Sequence, residues 1–289
     1  MTTDPRSRTT RQLAESALVR LLDAADPAHR SELVLVGGLV PEYLARTAPV
    51  EHQGTTDVDV VLSVGFVYDR DELDFGWLEQ ALEMAGFRVD PRQGGGWRWL
   101  TTVEGVPVKL ELLCDVPGDP SNQVVSLPGC RHASAVNLQG PGAALQDAVT
   151  RTLSTHQGPR VITTAGLGGY VLSKASAAAS RAQDRDFYDL AYVLIHNDLG
   201  GPGPAAEAVI TCLAGLDDPA GTAGTVYLPR LRAALAELAE GQRQGAWIYA
   251  RESVRTGSID SEQTLVEDAT SAAFDVLRQL DEAHPRRRP

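Results

Sequence analysis

The stretch that most constrains this chain runs from residue 33 to 62, LVLVGGLVPEYLARTAPVEHQGTTDVDVVL. It opens as an all-apolar strand, breaks at Gly37-Gly38, turns into a helix carrying Pro41, and returns as a second strand that begins Thr55-Thr56-Asp57-Val58-Asp59. Side chains alternate along a strand, so Asp57 and Asp59 project from one face with Cα atoms about 6.5 to 7 Å apart. Aspartate is poor in strands, and two like charges on one face repel. A bound divalent cation reverses that sign. The wet face of a half-buried edge strand gives the same alternation, with Val58, Val60 and Leu62 inside, so the pair is read with its surroundings. A Gly-Gly turn between an apolar strand and a helix lets backbone N–H groups approach an anion, aided by the positive end of the helix. Two glycines also make an ordinary turn, and the chain has no Walker loop. A phosphate cradle followed by paired carboxylates is more specific than either part.

The chain has 289 residues, which suits two domains, and 43% hydrophobic with 22% charged residues is ordinary for a soluble globular protein. No run reaches the roughly 18 apolar residues of a membrane span, and the start, MTTDPRSRTTRQ, has no apolar signal core. A cytosolic (cytoplasmic) protein without a membrane partner is expected. Cys114, Cys130 and Cys212 are widely spaced, odd in number and form no CxxC pair, so neither a disulfide framework nor a zinc site is suggested. Cys130 with His132 is a two-ligand fragment, short of the four that zinc demands. The net charge of −12 disfavours non-specific adhesion to nucleic acid but leaves room for a local basic groove. The basic Arg286-Arg287-Arg288 reads as a solvated tail.

In chain order, apolar spacing predicts an amphipathic helix over 13–25 lying against the sheet, and acidic residues over 69–74 open a helix through Trp77, Leu78, Leu82 and Ala85. Residues 97–103 and 106–113 flank Glu104-Gly105 as a hairpin, with Pro107 near a strand end or edge. On its second strand Lys109, Glu111 and Leu113 share a face. If that strand pairs beside the one bearing Asp57 and Asp59, Glu111 is the natural third carboxylate, with Asp115 as competitor; an exposed Lys109/Glu111 stripe is the alternative. Gly94-Gly95-Gly96 with Trp97 and Trp99 reads as a hairpin loop with core aromatics in preference to a base-stacking platform. Residues 115–139, rich in Pro, Gly, Ser and Asn, mark the domain boundary, giving domains over 1–135 and 136–289, the second mostly helical.

The helical half carries GGYVLSKASAAASRAQDRDFYDL over 168–190. Lys174 and Arg181 are seven apart, hence on one face of an alanine-rich helix, and Asp186 and Asp189 are three apart on the next. The cations can bind a triphosphate while the aspartates orient Arg181, Arg185 or Lys174; a solvated, salt-bridged face has the same spacing. Residues 205–238 and 262–280 read as further helices without evident chemistry.

With these residues together, the chain resembles the polymerase-β-like nucleotidyltransferase superfamily and, within it, the AbiEii-type nucleotidyltransferases, a family that includes toxins of bacterial toxin–antitoxin systems. Residues 33–38, 56–61 and 108–113 look like the superfamily's strand–Gly-Gly, Asp-x-Asp and third-acid pieces, and 174–190 looks like the second-domain signature. The chain departs from the pattern in three places. Gly38 stands where a hydroxyl residue is common, a loop over 49–54 lengthens the gap to Asp57, and Glu111 stands where aspartate is usual. The resemblance implies an α+β (mixed α/β) fold, a polymerase-β-like core with a mixed sheet followed by a mostly helical domain that completes the nucleotide and acceptor cleft.

It also implies transfer of a nucleoside monophosphate from a nucleoside triphosphate to an acceptor hydroxyl, with release of pyrophosphate. Asp57, Asp59 and Glu111 would hold Mg²⁺ (or Mn²⁺). Gly37 and Gly38, with Thr56 among the nucleotide-binding residues, would cradle phosphates, Lys174 would neutralise developing charge supported by Arg181 or Arg185, and Asp186 and Asp189 would serve orientation. The acceptor stays open. A tRNA or other RNA suits the basic run Arg151, His156, Arg160, Lys174, Arg181 and Arg185, and a cationic antibiotic-type small molecule suits the acidic surface. A protein acceptor or a non-catalytic nucleotide-binding module are further readings, and a cognate antitoxin is a partner the family implies.

Overall fold

The structure, a computed structural model, describes residues 8–64, 73–116, 119–155, 158–216, 221, 223–240 and 244–285. The acidic stretch expected to open a helix at 69–74 falls partly outside these, as do His156 and the three terminal arginines. The chain divides into two compact units, one of residues 1–40 and 54–165, the other of 41–53 and 166–289. The sequence alone placed a division at 135/136; the contacts place it at 165/166 and assign the inserted segment 41–53 to the second unit.

The first unit begins with helix α1 (Arg8–Ala24), whose Leu13, Ala14, Ala17, Leu18, Leu21 and Leu22 are buried at the expected spacing. Strand β1 (Val34–Val36) follows. The chain contributes α2 (Pro41–Leu44) to the second unit and returns as β2 (Asp57–Val61). Helix α3 (Gly76–Met84) and strand β3 (Arg88–Val89) lead to a hairpin of β4 (Arg98–Val103) and β5 (Val106–Cys114). Its turn has Glu104 at φ 51° and Gly105 at φ 80°, the left-handed pair that a two-residue hairpin of primed type requires. Then come β6 (Val124–Ser126), β7 (Ser134–Asn137), the short α4 (Ala143–Gln146), β8 (Val149–Thr155) and β9 (Gly158–Thr164).

These strands form one mixed sheet in the order β3-β4-β5-β2-β1-β9-β8, with β7 paired to β5 and β6. Strand β1 is antiparallel to β2 and parallel to β9, so it is enclosed on both sides, which explains its unbroken apolar run and complete burial. Strand β2 is central too, parallel to β5. Val58 and Val60 are fully buried, and α1 packs on β2, β4 and β5 as its apolar stripe predicts. Pro107 lies on β5 before its pairing with β2 begins at Lys109, so it faces a neighbouring strand only on the β4 side. The turn-rich composition of 115–139 conceals β6 and β7, and the β8/β9 hairpin precedes the helices expected after it. Strands β6 and β7 are only three and four residues long, and the β8/β9 hairpin joins the sheet through β9 pairing with β1, a partner far away in sequence.

The second unit is helical: α5 (Leu167–Arg181), α6 (Asp184–His196), α7 (Pro202–Gly215), α8 (Leu228–Ala239), α9 (Gln244–Arg255) and α10 (Glu262–Ala283). The fold is thus a mixed α/β sheet followed by a helical carboxy-terminal region. Segment 41–53 is fixed to it by long-range bonds: Thr47 donates its N–H and hydroxyl to Asp198 Oδ1 at 3.0 and 2.9 Å, and Tyr192 donates to the Val50 carbonyl at 2.8 Å. Among the described residues no helix is long and apolar enough to cross a membrane.

Candidate active site

Strand pairing assembles the site in the first unit. The β2–β5 register sets Asp57 opposite Lys109 and Asp59 opposite Glu111, and β4–β5 sets Arg98 opposite Glu111. Residues opposite one another across a ladder share a face, as do residues two apart along a strand. Three carboxylates and two cations therefore lie on one face, a formal excess of one negative charge. The pairing on which Glu111 depended as third acid is present.

Each acid has a defined environment. Asp57 is 9% exposed, and its Oδ1 accepts from the Thr56 hydroxyl at 2.9 Å while its own N–H donates to Thr55 Oγ1 at 3.1 Å. Lys109 Nζ reaches both of its oxygens, at 2.8 Å to Oδ1 and 2.9 Å to Oδ2. Glu111 Oε1 accepts from Arg98 at 2.7 Å, and the Arg98 guanidinium stacks on Trp97 at 4.6 Å from the ring centre. Asp59 lies against the backbone of Gly37. A Cβ built on Gly37 would stand 1.9 Å from Asp59 Oδ2, and Gly37 itself has φ +72°. The first glycine thus admits the carboxylate by having no side chain. Gly38 abuts Thr55, whose Cβ lies 2.9 Å from where a Gly38 Cβ would be.

Asp115, the competing third acid, accepts from the N–H groups of Gly140 and Gly142 at 2.8 and 3.0 Å, so it closes a loop. Among the described residues Cys130 and His132 belong to no group of three or more potential metal ligands. Burial and the nearby Glu79 push the Cys130 thiol up to about 12, and Glu79 Oε2 accepts the N–H groups of Arg131, His132 and Ala133 at 2.7, 3.0 and 3.1 Å. Burial opposes ionisation of Glu79, but these three bonds outweigh it and hold the carboxyl below its usual range. Trp99 is a core residue, 2% exposed, with its indole N–H on the Gly96 carbonyl at 2.9 Å.

The second unit gathers the buried Lys174, Asp186 and Asp189 and the exposed Arg181 into one network. Lys174 Nζ lies 2.6 Å from Asp189 Oδ2 and 3.3 Å from Asp186 Oδ1, and Arg181 grips Asp186 with two bonds of 2.7 and 2.8 Å. His52 joins through Nε2, 2.9 Å from Asp189 Oδ1. Asp186 is fully buried and Asp189 3% exposed. Burial alone would raise both carboxyls, yet Lys174, with Arg181 at Asp186 and His52 at Asp189, holds each below the usual carboxylate range. Arg185 is exposed and outside this network. Sequence spacing found four of the five members. His52 was missed because it arrives from a segment 137 residues away. Of the proposed basic run, Arg151 donates to Thr164 and Arg160 pairs with Asp23 in the first unit, while Lys174 and Arg181 belong to the second.

Could the acidic face hold a divalent cation? Its donors are carboxylate oxygens, the hard ligands that Mg²⁺ and Mn²⁺ select. Among the described residues no three His, Cys, Asp or Glu side chains converge to hold an ion by themselves. Mg²⁺ does not need such a cage: it is usually bound by one or two carboxylates and completes its shell with water and substrate phosphates. Asp57 and Asp59, adjacent on one face beside the Gly37 backbone, fit that mode.

No protein-family profile matches the chain, and no curated protein matches it in sequence. A crystal structure from H. pylori, of a protein provisionally named a nucleotidyltransferase, is similar in fold with a TM-score of 0.47 and 10% identity over 97% of this chain and 100% of that one.

Proposed function

We propose that this chain is a metal-dependent nucleotidyltransferase that moves a nucleoside monophosphate from a nucleoside triphosphate to an acceptor hydroxyl, releasing pyrophosphate. The observation that carries this reading is the register Asp59–Glu111 beside Asp57–Lys109, with the Asp59 carboxylate against the left-handed Gly37. Asp57 and Asp59 are the residues to hold Mg²⁺ or Mn²⁺, with Glu111 as third acid, and the ion when bound supplies Lewis-acid polarisation of a phosphoryl oxygen. Glu111, paired with Arg98, is the residue proposed to accept the proton of the attacking hydroxyl. The N–H groups after Gly37 provide fixed donors for phosphate oxygens, and Thr56 keeps Asp57 in one orientation.

In the second unit Asp186 and Asp189 orient Arg181 and Lys174, and the observed ion pairs support that role. Lys174 is the residue assigned to neutralise phosphate charge, with Arg181 or Arg185 in support. For the acceptor we favour an RNA end, tRNA included, on the family resemblance; a toxin-like role with a cognate antitoxin follows from the same source. A second reading, a nucleotide-binding module without catalysis, is favoured by the Lys109–Asp57 and Arg98–Glu111 pairs, which balance two carboxylates internally.

The deciding experiment incubates the protein with each labelled nucleoside triphosphate, Mg²⁺ or Mn²⁺, and separate pools of total RNA, cellular protein and aminoglycosides. Label in one pool, lost in Asp59→Ala, supports transfer and names the acceptor. Undiminished incorporation by Asp59→Ala would sink the mechanism, and nucleotide binding with no labelled product in any pool would favour the module.

A further inference from the structure

On the acidic face the two cations are not equivalent. Arg98 is stacked on Trp97 and its side chain is 21% exposed, so its bond to Glu111 is held in place by packing. Lys109 has a side chain 37% exposed on a flexible four-carbon stem, and its ammonium spans both oxygens of Asp57 at 2.8 and 2.9 Å. A carboxylate offers about four lone-pair positions. On Asp57 Lys109 takes one on each oxygen and Thr56 takes a further one on Oδ1, leaving about one for any other partner.

From this geometry we infer that Lys109 is a displaceable internal counter-ion that competes with the divalent cation for Asp57, and so sets how much metal the protein binds before nucleotide arrives. The inference rests on the metal-binding role proposed above for Asp57 and Asp59. Without metal, Lys109 offsets the repulsion between two aspartates on one strand face. For a cation to use both Asp57 oxygens, Lys109 must swing out along its exposed side. Mutual repulsion between the ammonium and a divalent ion on the same carboxylate then weakens metal binding, and a nucleotide's phosphates, which bring both negative charge and further metal ligands, shift the balance. Lys109 is in this account a positioning residue, acting through Asp57.

The test is Mn²⁺ binding to the full chain, followed by electron paramagnetic resonance of free Mn²⁺ and by isothermal calorimetry, in wild type, Lys109→Met, Lys109→Arg, Asp57→Asn and Lys109→Met/Asp57→Asn. Expected is a Kd about tenfold tighter in Lys109→Met, equivalent to ~1.4 kcal/mol. Lys109→Arg keeps the charge and should bind Mn²⁺ no more tightly than wild type. Asp57→Asn should remove the gain, so that the double variant binds no better than Asp57→Asn alone. Circular dichroism checks folding, and Lys109→Gln takes the place of Lys109→Met should the latter not fold. Equal or weaker binding in the neutral variants, with Asp57→Asn binding more weakly than wild type, overturns the inference and leaves the metal site standing. Absence of Mn²⁺ binding in every variant, with or without nucleoside triphosphate, overturns the metal site itself and this inference with it.

Discussion

Replacing Gly37 with alanine tests the link between backbone and chemistry more sharply than removing a carboxylate does. Gly37 has φ +72°, a conformation that costs a residue with a Cβ about 1–2 kcal/mol. The added Cβ would also stand 1.9 Å from Asp59 Oδ2 and 2.7 Å from its Cγ, so the carboxylate must rotate away. Forcing a side chain off its rotamer adds ~0.5–1.5 kcal/mol. We expect a loss of roughly 1.5–3.5 kcal/mol in unfolding free energy, the sum of these two effects. Urea denaturation followed by tryptophan fluorescence reads it, since Trp77, Trp97 and Trp99 of the four tryptophans lie in the first unit. In an Asp59→Gly background the overlap vanishes and only the backbone cost, about 1–2 kcal/mol, remains, so the non-additive part isolates the contact. Gly38→Ala is the control: the nearest atoms to its Cβ belong to Thr55, at 2.9 Å, so Mn²⁺ affinity should fall much less than in Gly37→Ala. A Gly37→Ala protein within about 0.5 kcal/mol of wild type, the range of an ordinary surface substitution, and with unchanged Mn²⁺ affinity would refute the reasoning.

Other perturbations reach the rest of the molecule. Lys174→Met leaves the buried Asp186 and Asp189 facing one another with one cation fewer, and should cost about 3–5 kcal/mol in denaturant unfolding, the usual penalty for breaking a buried pair from one side. Because both carboxyls are held below their usual range, the stability they confer is present above the unfolded-state value of about 3.9 and drains away as pH falls below it. Urea midpoints measured from pH 6 downward should therefore drop below about pH 4, and more shallowly in Asp189→Asn. Glu104→Asn places a residue that tolerates φ 51° in the β4–β5 turn and should raise stability by about 0.5–1 kcal/mol, read as a shift in thermal midpoint.

Features set by local covalent geometry were legible in the chain of residues. Alternation along 57–61 puts Asp57 and Asp59 together whatever the partners are, the Glu104-Gly105 pair dictates a tight turn, and a heptad interval aligns Lys174 with Arg181 on one helix face. Tertiary structure decided everything that depends on which distant segments meet. It set Glu111 opposite Asp59 by pairing two strands, excluded Asp115 by engaging it in a loop, and brought His52 to Asp189. It also set Lys109 on Asp57 from 52 residues away. An exposed Lys109/Glu111 stripe and a lysine seated on a metal-ligand candidate have the same sequence pattern. They differ only in the neighbouring strand, and that neighbour is chosen by burial of Val58, Val60, Leu110 and Leu112 across the sheet, a sum over the whole core that no short stretch contains.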